Sequence, residues 1–139
     1  MLTFVDTNVF VRLVAVADDD GQLKQAKRLF EQAQAGKVDL VTGPPVLFEV
    51  AWVLSRLYKR SNDEILDFLE AILSYPNLRM LDKEQVMTAI SIARETNSVF
   101  ADSYIAASAR RIQADNVATF NKKHFSKLGS KLYPLESSL

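Results

Sequence analysis

The chain has 139 residues, which predicts a single domain over residues 1–139, and it lacks cysteine, which excludes disulfides and thiolate metal sites. Its 17 basic and 17 acidic residues give zero net charge, so we expect nucleic acid to bind only at a local cluster of positive charge. No apolar run approaches the roughly 20 residues that span a bilayer, and no signal peptide is apparent, so we expect a cytoplasmic protein without membrane partners.

The first ten residues contain a mostly apolar run followed by three small polar residues. The run from Leu2 to Val5 predicts a buried strand of a parallel sheet. Asp6, Thr7 and Asn8 follow it, and ligands of open α/β sheets bind at the carboxyl ends of strands. Asp6 is therefore a candidate site residue, with Thr7 and Asn8 as hydrogen-bonding partners. The alternative is that Asp6 only caps the next helix, and this stretch alone favours neither interpretation.

Strands and helices alternate along the rest of the chain. This order predicts an α/β fold of three layers, α/β/α, with a central parallel sheet of about four to five strands. The predicted strands are residues 2–5, 39–42, 78–81, 116–119 and 131–133, and the main predicted helices begin near residues 8, 21, 46, 61, 82 and 98.

Several residues are predicted to have structural roles. Ser61 and Glu64 form a capping box before an apolar helix. The acidic run 18–20 is expected to cap the helix that follows it, and a cation site is the less favoured alternative. Trp52, Tyr104 and Ile105 are interpreted as core residues, together with the apolar face that runs from Leu47 to Tyr58.

Two further carboxylates stand near predicted helix starts. Glu49 lies in an apolar helix, where the helix dipole explains it simply, but burying it would be costly without a partner or a metal ion. Asp102 lies in the first turn of a helix of small residues, and Asn121 follows the predicted fourth strand. With Asp6, these residues could converge on one edge of the sheet.

Carboxylates that converge repel one another unless a cation neutralises them. Hard oxygen ligands without His or Cys suit Mg²⁺ or Mn²⁺. A divalent ion held in this way is suited to phosphoryl chemistry. The sequence therefore favours a metal-dependent reaction at a phosphate.

At these residues the chain resembles PIN-domain nucleases, and within that family the VapC-type toxins of toxin–antitoxin pairs. The resemblance covers essentially the whole chain and is carried by Phe4-Val5-Asp6-Thr7-Asn8, Glu49, Phe100-Ala101-Asp102-Ser103-Tyr104-Ile105-Ala106-Ala107, and Ala118-Thr119-Phe120-Asn121 with Phe125. It implies a Mg²⁺-dependent ribonuclease that forms a homodimer and is inhibited by a cognate antitoxin. It also implies cleavage that leaves a 5′-phosphate and a 3′-hydroxyl.

The resemblance also assigns roles to single residues. Asp6, Glu49 and Asp102 would bind the metal directly or through water, and Asn121 would complete the catalytic set. Thr7, Asn8, Ser103 and Thr119 would support the site. Many family members carry Asp at the position of Asn121, and Asn brings no charge, so both a one-metal site and a second ion recruited with the RNA stay open.

A local basic cluster follows Asn121. Lys122, Lys123, His124 and Lys127 are suited to holding an RNA backbone, and a solvated loop is the equally weighted alternative. Arg12, the one charge of its helix, is also assigned to RNA binding.

Two rival functions stay open at this point. The first is a non-catalytic module that binds metal or protein, either a degenerate PIN domain or a receiver-like domain. A receiver is disfavoured because Thr7 and Asn8 stand where it needs a second Asp. The other rival is a housekeeping RNA-processing nuclease, which would share the chemistry but have no antitoxin.

Overall fold

The computed structural model describes residues 1–15 and 20–136 and divides the chain into two compact units, Met1–Lys83 and Glu84–Leu139. The elements of the first unit are β1 (Leu2–Phe4), α1 (Thr7–Val14), α2 (Asp20–Gln34), β2 (Asp39–Thr42), α3 (Pro44–Arg56), α4 (Asn62–Leu73) and β3 (Leu78–Met80). The helices that follow are α5 (Lys83–Thr96), α6 (Phe100–Arg111) and α7 (Lys122–Lys127).

The first unit contains a parallel sheet with the strand order β1-β2-β3. The helices connect its strands, which confirms the predicted α/β class. In β2, Leu40, Val41 and Thr42 are all buried. Because β1 and β2 are parallel, they end at the same edge of the sheet, and the candidate residues of the first unit follow these two strand ends.

The prediction that Leu2 to Val5 is a buried strand is wrong for most of its residues. Leu2 and Phe4 are 58% and 56% exposed, and only Val5, which follows the strand, is buried. Alternate residues of a strand share a face, so Leu2 and Phe4 lie on the same face of β1. An apolar run predicts a strand, but it does not tell whether both faces of that strand are covered.

The core of the first unit joins its helices through aromatic and aliphatic contacts. The rings of Phe10 in α1 and Phe30 in α2 lie 5.7 Å apart, centre to centre, and Phe30 also contacts Tyr75 at 4.7 Å. Leu47 and Leu54 of α3 are fully buried. The ring contact between Phe10 and Phe30 holds α1 and α2 together, and these two helices also form the sides of a groove.

Two apolar side chains of the α3 region were wrongly predicted to be in the core. Trp52 is 58% exposed because it lies about 200° around the helix from the buried Val50. Leu57 is 65% exposed because it is the C-cap residue, where the helix has ended. The buried face of α3 was therefore predicted correctly from Leu47 to Leu54, but it does not extend beyond Leu54.

The second unit contains fewer strand residues than predicted. Segments 116–119 and 131–133 form a single parallel bridge between Val117 and Leu132, so the described residues contain three strands where about four to five were expected. Two backbone hydrogen bonds of 2.8 and 2.9 Å make up this bridge. The segment 116–119 has only two apolar residues, Val117 and Ala118, which is little area to bury along a longer ladder.

Helix α6 buries three of its small residues. Ser103, Ala106 and Ala107 are buried, and the ring of Tyr104 is half-buried against Phe100, with the ring centroids 5.9 Å apart. Ile105, which was also predicted to be core, is 50% exposed. It lies about 200° around the helix from the buried Ser103 and Ala107, so it faces away from the side that packs.

The helix ends follow the local sequence. Gly36 has φ 77°, and its N–H donates to the Ala33 carbonyl at 2.9 Å, which ends α2 after Gln34. The predicted capping box of Ser61 and Glu64 is confirmed at the start of α4. Of the acidic run, Asp18 and Asp19 lie outside the described residues, and Asp20 is the first residue of α2. Within the described parts of the chain, no helix is both long and apolar enough to cross a membrane.

Candidate active site

Asp6 stands between the end of β1 and the start of α1. Its backbone is extended, with φ −88° and ψ 167°, and its Oδ1 accepts a hydrogen bond of 2.7 Å from the Thr7 N–H. Asp6 is therefore the N-cap of α1, as the simpler interpretation predicted. The side chain is nevertheless exposed, and this bond leaves the second carboxylate oxygen, Oδ2, outside it. Capping and ligand binding are thus compatible in the same residue.

A buried hydroxyl beside Asp6 has no hydrogen-bond partner. Thr7 is 6% exposed, and its Oγ1 finds no donor or acceptor among the described residues. Burying a hydroxyl without a hydrogen bond costs about 1–3 kcal/mol in proteins. Such groups are uncommon in native structures, and each one calls for a water, an ion or a ligand to complete it.

Thr42 holds the backbone under Asp6 in place. This residue ends β2, is fully buried, and donates its hydroxyl to the Val5 carbonyl at 3.0 Å. The Val5 N–H also donates to the Val41 carbonyl at 2.8 Å. Val5, the residue before Asp6, is therefore bound to β2 through both its N–H and its carbonyl group. Sequence analysis did not identify Thr42, although a threonine that ends an apolar strand was a visible clue.

Glu49 is an exposed residue of α3, not a buried residue at its start. The helix begins at Pro44, so Glu49 lies in the second turn, beyond the region where the helix dipole stabilises an acid strongly. The expected cost of burying it does not arise. An exposed carboxylate without a structural need remains a candidate ligand.

In the second unit, Asp102 lies beside an imidazole. Its Oδ2 is 3.2 Å from Nδ1 of His124, and the side chains of Asp102 and His124 are 19% and 63% exposed. Sequence analysis placed His124 in the RNA-binding cluster and did not foresee this contact. Ser103, assigned to site support, is fully buried, and its hydroxyl donates to the Val99 carbonyl at 2.8 Å. Ser103 therefore supports the first turn of α6.

The segment around Asn121 is exposed. Asn121 is the N-cap of α7 without a side-chain capping bond, and its N–H donates to Oγ1 of Thr119 at 2.9 Å. Lys122 and Lys123 are exposed. Lys127 donates from Nζ to the Asn97 carbonyl at 2.8 Å, so its ammonium serves a backbone contact.

Arg12 and Asn8 lie on one side of α1 and face α2. Nε of Arg12 donates to Oε1 of Gln22 in α2 at 2.7 Å, and both residues line a groove that also includes Asn8. Gln22 was not identified from the sequence. Its pairing with Arg12 depends on how α1 and α2 pack, which no local pattern reveals.

The described residues contain no group of three or more His, Asp or Glu side chains placed to hold a metal ion together. Asp6 and Glu49 belong to the first unit, while Asp102 and Asn121 belong to the second. The predicted convergence of the four residues stays a prediction. The donor chemistry of each position still fits a hard cation, because each offers carboxylate or amide oxygen.

Comparison with known proteins places the chain in a family. The family model of the PIN domain matches residues 3–131, and no curated protein matches the chain. PIN domains are generally nuclease modules. Because the match covers most of the chain and agrees with the parallel α/β sheet, this protein belongs to the PIN domain family.

Proposed function

We propose that this protein is a ribonuclease that hydrolyses phosphodiester bonds of RNA and depends on Mg²⁺ or Mn²⁺. The observation that supports this most is the start of α1. There an exposed Asp6 carboxylate lies at the end of a parallel strand beside a buried Thr7 hydroxyl that has no partner among the described residues. Such an edge is where α/β folds bind ligands.

The metal would be held by Asp6, Glu49 and Asp102. When bound, a divalent ion supplies positive charge that offsets the charge developing on the phosphate in the transition state. Asp6 is oriented for this role by its bond to the Thr7 N–H, and its backbone is held by Thr42. Asn121 would add an uncharged oxygen ligand or orient a water.

Exposed lysines would hold the RNA. Lys122 and Lys123 start α7, directly after Asn121, and their exposed ammonium groups are accessible to RNA phosphates. Lys127 is the weaker candidate because its ammonium already binds the Asn97 carbonyl. His124 would lie close to the site through its contact with Asp102.

The test is cleavage of single-stranded RNA by purified protein with Mg²⁺, with Mn²⁺ and with chelator. We expect cleavage only with metal, and a loss of at least about a hundredfold in Asp6→Asn and Asp102→Asn, because each loses a charged ligand. Asp63→Asn is the matched control, since Asp63 is an exposed acid in the first turn of α4, away from the proposed site.

Full cleavage by either Asn variant, at equal purity and with a preserved melting transition, would refute the assignment. Metal binding without cleavage by the wild-type protein would instead favour a non-catalytic module. That rival draws support from Asn121, which brings no charge to a position where an acid is expected.

We further propose that the protein is the toxin of a VapBC-type pair, acts in the cytoplasm and forms a homodimer. The resemblance to VapC-type toxins supports this proposal, and the 58% exposed Trp52 of α3 is a side chain that a partner could cover. Co-expression with the product of a short adjacent reading frame, followed by light scattering, tests both associations. A monomer that binds no such product and does not slow growth would favour a housekeeping nuclease.

A further inference from the structure

Helices α1 and α2 form the sides of an open groove of about 270 Å³ within the first unit. Helix α1 contributes Asn8 and Arg12, which are four residues apart and so share a side of the helix. Helix α2 contributes the amides of Gln22 and Gln25. We call this the α1–α2 groove. Its volume lies just below the roughly 300–1,000 Å³ typical of small-molecule sites, which is enough for a group the size of one base.

The α1–α2 groove has an apolar part as well as a polar one. Val9, Ala26 and Leu29 line it beside the amides, and Ala26 is buried. Flat aromatic bases need both an apolar surface for the ring and hydrogen-bonding groups for the edge. The composition of the groove matches these two needs.

Arg12 is held in a defined orientation at this groove. Its Nε donates to Oε1 of Gln22 at 2.7 Å, and that bond leaves the two Nη groups outside it. A guanidinium that presents two parallel N–H donors matches O6 and N7 of guanine, the commonest specific contact between arginine and a base. Gln22 is thus a positioning residue for Arg12.

The amides argue for a base over a phosphate as the occupant. Phosphate oxygens only accept hydrogen bonds, so a phosphate would use the NH2 donors of the amides and leave the carbonyl oxygens of Asn8 and Gln25 unused. Base edges offer both donors and acceptors, which side-chain amides can satisfy together. One arginine among three amides is therefore better suited to an edge with mixed donors and acceptors.

The groove also lies close to the proposed reaction site. Asp6 caps α1, and Arg12 follows six residues later, which is about 9 Å along the helix axis. Asp6 and the groove therefore belong to one helix, so an RNA segment that contacts both would place a phosphate at Asp6 and a base at Arg12.

We propose that the α1–α2 groove binds one guanine of single-stranded RNA next to the cleaved bond, and that Arg12, positioned by Gln22, reads its O6 and N7. The inference rests on the proposed function for its ligand, because it assumes that RNA is the substrate. It adds a specificity site to that function and assigns the base that the site prefers.

Binding without cleavage tests this directly. Short oligouridylates that carry one guanine, one adenine or one cytosine are titrated into the protein with chelator present, and fluorescence anisotropy is followed. We expect the guanine oligomer to bind roughly five- to a hundredfold more tightly than the others. Arg12→Met keeps the aliphatic stem and should abolish this preference, and Gln22→Ala should reduce it.

Arg28→Met is the matched control, because it removes the same charge from an exposed position of α2 that does not line the groove. It should weaken all oligomers equally and keep the preference. Equal binding of all bases by the wild-type protein, a preference for another base, or equal effects of Arg12→Met and Arg28→Met would overturn the inference. A guanine preference in a protein that cleaves no RNA would preserve the assignment of Arg12 and Gln22 to base reading and refute the ribonuclease assignment.

Discussion

The starts of α1 and α4 use similar residues in different ways. At α4 the Ser61 hydroxyl accepts from the Glu64 N–H at 3.2 Å, and Glu64 accepts from the Ser61 N–H at 3.1 Å. Each residue thus accepts a hydrogen bond from the backbone N–H of the other, and both residues are exposed. At α1 Asp6 accepts a hydrogen bond from the adjacent Thr7 N–H, while the buried Thr7 hydroxyl is left without a partner among the described residues.

The difference separates polar residues that stabilise the fold from those placed for a ligand. A capping box satisfies two orphan donors of its helix and needs nothing else. At the start of α1, the Thr7 N–H has an acceptor, but the buried Thr7 hydroxyl has no partner among the described residues. The free-energy cost of burying that hydroxyl is therefore not offset by a hydrogen bond. Its position at the end of a parallel strand makes a ligand the natural completion. Four substitutions can test this contrast, and they follow from the largest expected effect to the smallest.

Thr42→Val should destabilise the protein by about 1–3 kcal/mol, because it removes the hydroxyl that binds the buried Val5 carbonyl. The two side chains have nearly the same shape, so the loss reports the hydrogen bond. Chemical unfolding with chelator measures it. A change below about 0.5 kcal/mol would show that the backbone under Asp6 does not need this contact.

Ser61→Ala should cost about 1 kcal/mol, because the Glu64 N–H loses its side-chain acceptor at an exposed helix start. Urea unfolding measures the change, and RNA cleavage should be unaffected. Reduced cleavage at full folding would contradict the view that this helix start serves stability alone.

Thr7→Val should have the opposite sign to Thr42→Val. Removing an unpartnered buried hydroxyl should leave stability unchanged or raise it by up to about 1 kcal/mol in metal-free protein. Cleavage should fall, since the hydroxyl is assigned to the site. Unfolding of both valine variants under identical conditions makes each the control of the other. Destabilisation equal to that of Thr42→Val would show that Thr7 serves the fold.

The smallest effect concerns the pH dependence of the capping box. The hydrogen bonds from the Ser61 backbone N–H and side chain, with a smaller contribution from Arg60, lower the pKa of Glu64 below its ordinary value of 4.5. A lowered folded-state pKa stabilises the protein above 4.5, and this contribution is lost as the pH falls through the lowered value. The gap in unfolding free energy between wild type and Glu64→Gln should therefore close in acid.

Urea unfolding of wild type and Glu64→Gln over a pH series measures that gap. In a Ser61→Ala background the gap should be smaller above pH 4.5, because one of the interactions that lower the pKa of Glu64 has been removed. A gap that is constant with pH would mean that Glu64 interacts equally in both of its charge states.

Much of the fold could be predicted because its cause is local. The alternation of strands and helices, the span of β2 and the capping box of α4 all depend on residues a few positions apart. The predictions that were wrong concern burial. Trp52, Ile105 and the pair Leu2 and Phe4 are apolar but exposed, because an apolar residue is buried only if another element covers its side.

The candidate site likewise has residues that could be predicted from the sequence and pairings that could not. Asp6, Thr7 and Asn8 could be chosen from the sequence because they follow an apolar run, and strand ends are where ligands bind. The pairings around them could not be foreseen: Thr42 with Val5, Gln22 with Arg12, and His124 with Asp102. Their partners are 37, 10 and 22 positions apart in the chain. Hydrogen bonds over such separations depend on how whole elements pack, and only the folded chain brings those atoms together.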